Sequence, residues 1–100
     1  MSRGTVLWLE AEGRRPVCIL TRNEAIPSLR NVVVALVTGR KRGLKSEVTI
    51  GPEDGMPQEC VISLDNLRTI PKTLLTEPIT TLGPDKMDQV CRALNTAMSC

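Results

Sequence analysis

The chain predicts a small, strongly bent antiparallel β-sheet or barrel capped by one C-terminal helix. Three observations predict it. At 100 residues, the sequence fits one domain, residues 1–100, with one modest core. Short apolar segments between Thr5 and Ile70 are separated by clusters of Gly, Pro, Asn and Asp. Residues 84–98 carry apolar positions at steps of three and four, the helical spacing.

The first strand is Thr5–Glu10, followed by the compact loop Ala11-Glu12-Gly13. Pro16 has no N–H to give a ladder, so it belongs at a strand start, and the second strand runs from about Val17 to Thr21. Residues 22–31 form a polar connection, with one helical turn around Pro27 to Leu29. Val32 to Val37 is apolar without alternation, the pattern of a strand buried on both faces. One face meets the core; the other meets the C-terminal helix or a second subunit.

Gly39 to Gly43 is a basic turn. Ser46 to Ile50 alternates, as a half-exposed strand does. Residues 51–57 are dense in turn formers. Cys60–Leu64 reads as a fifth strand, Asp65-Asn66 as a turn, and Leu67–Ile70 as a sixth strand. A short helical turn follows at residues 71–75, and Ile79 falls in a small edge strand. Pro84 suits the first turn of the final helix, and Asp85 and Asp88 favour its positive end. Met87, Val90, Cys91, Leu94, Ala97 and Met98 form the stripe expected to pack on the sheet.

Composition narrows the chemistry. There is no histidine, so acid–base work falls to other groups. Trp8 is the only aromatic residue, and the core is therefore aliphatic, with Trp8 expected inside it. A small aliphatic core favours oligomerisation. Cys18, Cys60, Cys91 and Cys100 are widely and irregularly spaced, with no C-x-x-C. A structural metal is not expected, and Cys18 and Cys60 read as small buried hydrophobes. With no signal peptide and no long apolar run, the chain is expected to be cytoplasmic, reduced and without a membrane segment. The net charge of +2 is mildly basic, with clusters at Arg14-Arg15 and Arg40-Lys41-Arg42. Taken alone, such runs are solvated surface.

The segments, taken in order, resemble the MazF/PemK toxins of bacterial toxin–antitoxin pairs. The resemblance spans almost the whole chain. It is carried by Arg3-Gly4 ahead of a Trp-containing strand, by Arg15-Pro16-Val17, and by the Val-rich strand ending in Thr38. It continues through Ser46-Glu47-Val48, the stretch VISLDNLRTIP from Val61 to Pro71, and the pattern Leu82, Pro84, Met87, Val90, Ala93, Leu94. The short loop at residues 11–14 is similar to that of a short-loop subset. Thr5 stands where the family often has an acidic residue, and Gly39 where it often has Ser.

The resemblance implies an SH3-like (CcdB/MazF-type) antiparallel barrel that forms homodimers. It implies a cofactor-free, metal-independent endoribonuclease that cleaves single-stranded RNA at short sequences and inhibits translation and growth. Its products would carry a 2′,3′-cyclic phosphate and a 5′-hydroxyl. A cognate MazE-like antitoxin would cover the RNA groove. The catalytic pair would be Arg15 and Thr38. Arg15 suits a phosphate clamp, because a guanidinium gives two parallel hydrogen bonds. Thr38 suits alignment of the 2′-hydroxyl. Arg14, Arg40, Lys41 and Arg42 are expected to contact the RNA backbone, with Asn66 and Arg68 near the groove. With Trp8 in the core, base selection would rest on hydrogen bonds and Arg stacking. Glu10 and Glu12 are the candidate proton acceptors, and the sequence places neither at the hydroxyl. The competing readings are a non-catalytic CcdB-like topoisomerase inhibitor, which needs neither Arg15 nor Thr38, and an RNA-binding barrel without cleavage.

Overall fold

Side chains along a strand point alternately to opposite faces, so a strand that is apolar at consecutive positions must be covered on both sides. Three strands here have that character, and the computed structural model, which describes residues 1–99, covers both of their faces. The strands are β1 (Thr5–Glu10), β2 (Arg14–Ile19), β3 (Asn31–Thr38), β4 (Glu47–Ile50), β5 (Cys60–Pro71) and β6 (Leu75–Thr81). One helix, α1 (Pro84–Met98), follows them. Cys100 lies outside the described residues.

The strands form one sheet in the order β4-β5-β3-β2-β1-β6, with every neighbouring pair antiparallel. On one face, Val6, Cys18, Ala35 and Val37 join Val48, Ile50, Ile62 and the helix residues Val90 and Ala93. On the other, Leu7, Leu9, Val17, Ile19, Val32 and Val34 join Ile26, Ile70 and Leu75. The unbroken run in β3 therefore serves two cores. Only its first half departs from the expectation, since Val33 is exposed.

The sheet is curled into a half-barrel. Its two edge strands do not pair; the seam between them is bridged by the 51–57 loop and α1. Thr80 Oγ1 donates to the Asp54 carbonyl at 2.7 Å, and Lys86 Nζ donates to the Thr49 carbonyl at 2.6 Å. Gly55 makes this seam possible. Its φ of 92° is left-handed, and a Cβ there would lie 2.4 Å from Thr80 Oγ1.

Four sequence expectations need correction. β2 starts at Arg14 rather than Val17, because its first residues pair with β1 beyond the point where the β3 ladder ends at Val17–Leu36. Pro16 is tolerated inside the strand because that side is unpaired. Second, Asp65-Asn66 does not reverse the chain. Cys60–Pro71 is one strand, and residues 64–66 are looped out where the partner of Ala35 is Leu67 and the partner of Leu36 is Ser63. Third, the small edge strand at Ile79 is a seven-residue strand paired with β1. Pro78 fits there because the strand is an edge. Finally, the helix stripe centres on Val90 and Ala93, flanked by Met87, Leu94 and Ala97. Cys91 and Met98 sit seven residues apart on the exposed flank. Nothing among the described helices is long and apolar enough to cross a membrane.

Candidate active site

Antiparallel register places Arg15 and Thr38 together. The β2–β3 ladder pairs Ile19 with Val34, Cys18 with Ala35 and Val17 with Leu36. Two further steps in the same register bring Arg15 opposite Thr38, where the ladder has opened. The opened end is a cavity of about 410 Å³. Arg15 lines it from β2 and Thr38 from β3; Arg40 and Arg42 come from the following loop, Glu47 from β4, and Ser63 and Asn66 from β5.

The two central groups differ in how they are held. Among the described residues, none makes an ion pair or hydrogen bond with the Arg15 guanidinium. The residue is exposed and lines the cavity, so its five N–H donors are available there. Thr38 Oγ1 accepts the backbone N–H of Arg40 at 3.2 Å. That bond uses a lone pair of the hydroxyl and leaves its hydrogen to donate elsewhere. Asn66 is delivered by the β5 bulge, and its Nδ2 donates to Ser63 Oγ at 2.8 Å.

Of the expected RNA-contacting residues, Arg40, Arg42 and Asn66 line this cavity together with the central pair. Lys41 lies exposed on the same loop, outside the cavity lining. Arg68 lines an adjoining cavity of about 360 Å³, which Arg15 and Glu12 also border. Arg14 is elsewhere and committed. Its Nε donates to Glu10 Oε2 at 2.6 Å, its Nη2 lies 3.5 Å from Glu77, and its guanidinium stacks 4.4 Å from the Trp8 ring centre.

Trp8 is not in the core. It is half-buried and borders a cavity of about 250 Å³ with Pro16, Pro57 and Ile79. Its register partner is Pro16, which lies beyond the end of the β2–β3 ladder at Val17–Leu36. Thr38 and Gly39 border this cavity and the central one, so the two open side by side. An apolar plane therefore adjoins the charged pocket.

Glu10, a candidate proton acceptor, is bound to Arg14 and also accepts from Thr76 Oγ1 at 3.2 Å. Glu12 is at the tip of the loop with φ 53°, bordering the adjoining cavity. Glu47 and Ser63, which sequence reasoning missed, are further polar residues of the cavity lining. Alternation in β4 marked Glu47 as outward, but its pairing with Ser63 is fixed by the β5 register. Cys18 and Cys60 are poor nucleophiles. Burial pushes the Cys18 thiol up to about 12, against an opposing pull from Arg3. Cys60, half-buried rather than fully buried, is raised by burial and then by Asp54 and Glu59. Among the described residues, no three His, Cys, Asp or Glu side chains gather in a group suited to a metal ion.

Known proteins share this architecture and sequence. Residues 2–98 match the family described as the PemK-like, MazF-like toxin of type II toxin–antitoxin systems. The chain is 37% identical over 103 residues to the probable endoribonuclease MazF2 of Mycobacterium tuberculosis, covering all of both chains. It is 40% identical over 102 residues to the probable endoribonuclease MazF5 of the same species, covering 99% of this chain and 94% of that one. Among solved structures, the M. tuberculosis toxin MazF-mt6 superposes with a TM-score of 0.89 at 35% identity, covering 95% of this chain and 96% of that one. A mycobacterial endoribonuclease in complex with its cognate antitoxin gives 0.90 at 26% identity, covering 99% and 95%. With a matched length of nearly the whole chain and a shared half-barrel, the protein belongs to the PemK-like, MazF-like toxin family of type II toxin–antitoxin systems.

Proposed function

We propose that the protein is the endoribonuclease toxin of such a pair, cleaving single-stranded RNA in the cavity between β2 and β3. The observation that carries this reading is the uncommitted Arg15 guanidinium, aligned by register with Thr38 in a pocket that also holds Arg40 and Arg42. In this reaction the 2′-oxygen forms a bond to phosphorus and the bond from phosphorus to the 5′-oxygen breaks. The 2′-hydroxyl loses its proton and the 5′-oxygen gains one. The products are a 2′,3′-cyclic phosphate and a 5′-hydroxyl.

Arg15 would stabilise the charge that builds on the non-bridging oxygens, with all its donors uncommitted and no side chain to displace. Thr38, its lone pair engaged by the Arg40 N–H, would donate its hydrogen to a phosphate oxygen and hold the in-line geometry. Arginine keeps its proton throughout the working pH range and is a poor base. Rate enhancement would come mainly from positioned charge. Arg40, Lys41 and Arg42 would hold the RNA backbone, and Asn66 would meet the strand within the same cavity. Arg14 and Arg68 would act at the rim, where Arg14 is already neutralised by two carboxylates.

Action in the cytoplasm, homodimer assembly and neutralisation by a cognate antitoxin complete the proposal. The relative solved with its antitoxin supports the last of these. The competing CcdB-like reading is not favoured, because a topoisomerase inhibitor has no use for a phosphate clamp beside a strand-end hydroxyl. Incubation with a defined single-stranded RNA, with chelator present, followed by mapping of 5′-hydroxyl ends tests the proposal. Discrete cleavage sites are expected. Intact RNA under these conditions contradicts it.

A further inference from the structure

The loop that carries Arg40, Lys41 and Arg42 has little holding it. Residues 38–45 are exposed, and residues 40–44 form neither helix nor strand. Three arginine or lysine side chains repel one another there, and an unrestrained loop would lose conformational freedom each time RNA bound. The structure supplies a restraint at each end. At the start, the Arg40 N–H donates to Thr38 Oγ1. At the far end, the restraint is one carboxylate.

That carboxylate belongs to Glu47. The backbone N–H of Arg42 donates to both of its oxygens, at 3.0 and 3.3 Å. The N–H of Leu44 donates to one of them at 3.2 Å. The Glu47 N–H in turn donates to the Leu44 carbonyl at 3.1 Å, so residues 42–47 close on themselves. Charge-assisted bonds of this kind are among the stronger ones. Glu47 itself stands on rigid backbone. It pairs with Ser63 across the β4–β5 ladder. The preceding residue, Ser46, is buried, its hydroxyl bonds Asp65, and its carbonyl accepts the Leu64 N–H at 2.9 Å. The bulge in β5 that delivers Asn66 to the cavity thus anchors the same strand that fastens the loop.

We propose that Glu47 is a positioning residue: its carboxylate holds the 39–46 loop in the shape that presents Arg40, Lys41 and Arg42 to the RNA backbone. This deepens the ribonuclease reading and rests on it. It also makes a prediction opposite in sign to plain electrostatics. Removing a negative charge from a basic groove would, by charge alone, tighten binding to a polyanion. If Glu47 organises the loop, removing it weakens binding instead.

The test compares wild type, Glu47→Gln and Glu47→Ala. Gln keeps one oxygen acceptor and Ala keeps none. The readouts are affinity for a short random-sequence 2′-O-methyl RNA, which cannot be cleaved, kcat and KM on cleavable RNA, and amide hydrogen exchange in the free protein. Expected are a loss of affinity of about tenfold for Ala, a smaller loss for Gln, and kcat within about threefold of wild type. Protection at the Arg42 and Leu44 amides should fall in the same order. Tighter or unchanged RNA binding by both variants overturns the proposal. So does a fall in kcat of about a hundredfold or more with affinity unchanged, which would make Glu47 a proton acceptor. If Glu47→Ala does not fold, the sign of the change in Glu47→Gln decides. Wild type that binds the uncleavable RNA but leaves ordinary RNA intact contradicts the ribonuclease reading, while the affinity series still decides the role of Glu47.

Discussion

Arg14 and Arg15 are neighbours in sequence with opposite circumstances. Strand alternation sends them to opposite sides of β2. Arg14 meets Glu10, Glu77 and the face of Trp8. Among the described residues Arg15 meets no carboxylate, and it lines the cavity where the β2–β3 ladder has opened. The difference teaches how to read a surface arginine. A guanidinium already paired must break those contacts before it can hold a phosphate, and an exposed pair of this kind contributes about 0–1 kcal/mol where it stands. An unpaired one held at a strand end carries its full charge and all its donors to the substrate. The same contrast divides the hydroxyls and carboxylates. Glu10 is consumed by Arg14, whereas Thr38 accepts one bond and keeps its hydrogen to give.

The largest expected effect is at the uncommitted arginine. Arg15→Ala should lower the single-turnover cleavage rate by roughly 10²–10³, the usual cost of a lost transition-state donor. Arg14→Ala in the same assay should change KM by less than about threefold and leave kcat alone; equal damage from both would erase the contrast. Next is the hydroxyl. Thr38→Val keeps the branched shape and removes the oxygen, and should cost about tenfold to a hundredfold in kcat, the loss of one positioned hydrogen bond. Thr38→Ser should retain most activity, and a Ser variant as slow as Val would show that the methyl group matters rather than the oxygen. A smaller effect belongs to the loop. Arg42→Ala should reduce the slope of log affinity against log salt by about 0.7, one phosphate contact on a single strand, measured by RNA titration across a salt series. An unchanged slope would remove Arg42 from the backbone contacts. The smallest is on the committed side. Glu10→Gln should lower stability in urea by less than about 1 kcal/mol without changing the cleavage rate.

Much of the fold was legible because the strands are short, apolar and bounded by turn formers. The helix was legible because its apolar positions recur at helical spacing, though size favours Cys91 and Met98 for the stripe and the residue that is buried is the smaller Ala93. What misled was local chemistry whose meaning is set at a distance. Asp65-Asn66 has the composition of a turn. Its side chains instead bond Ser46 and Ser63, which hold it as a bulge in a continuous strand. Trp8 looked like core because it is large and alone, and no pattern in the sequence reveals that its register partner Pro16 lies at an unpaired strand end. Arg15 and Thr38 were legible through resemblance, while their alignment depends on the register of β2 with β3. Glu47 was visible only as an outward residue of an alternating strand; its grip on the Arg42 and Leu44 amides depends on how the 39–46 loop folds back.

The central claim is that Arg15 and Thr38 act on one phosphate as a unit. A double-mutant cycle tests it most directly, using single-turnover cleavage of a saturating single-stranded RNA by wild type, Arg15→Ala, Thr38→Val and the double variant. Groups that serve the same transition state are non-additive. The double variant should therefore be no more than about threefold slower than Arg15→Ala alone. Rates that fall by the full product of the two single effects, or a double variant that cleaves like wild type, would contradict the account.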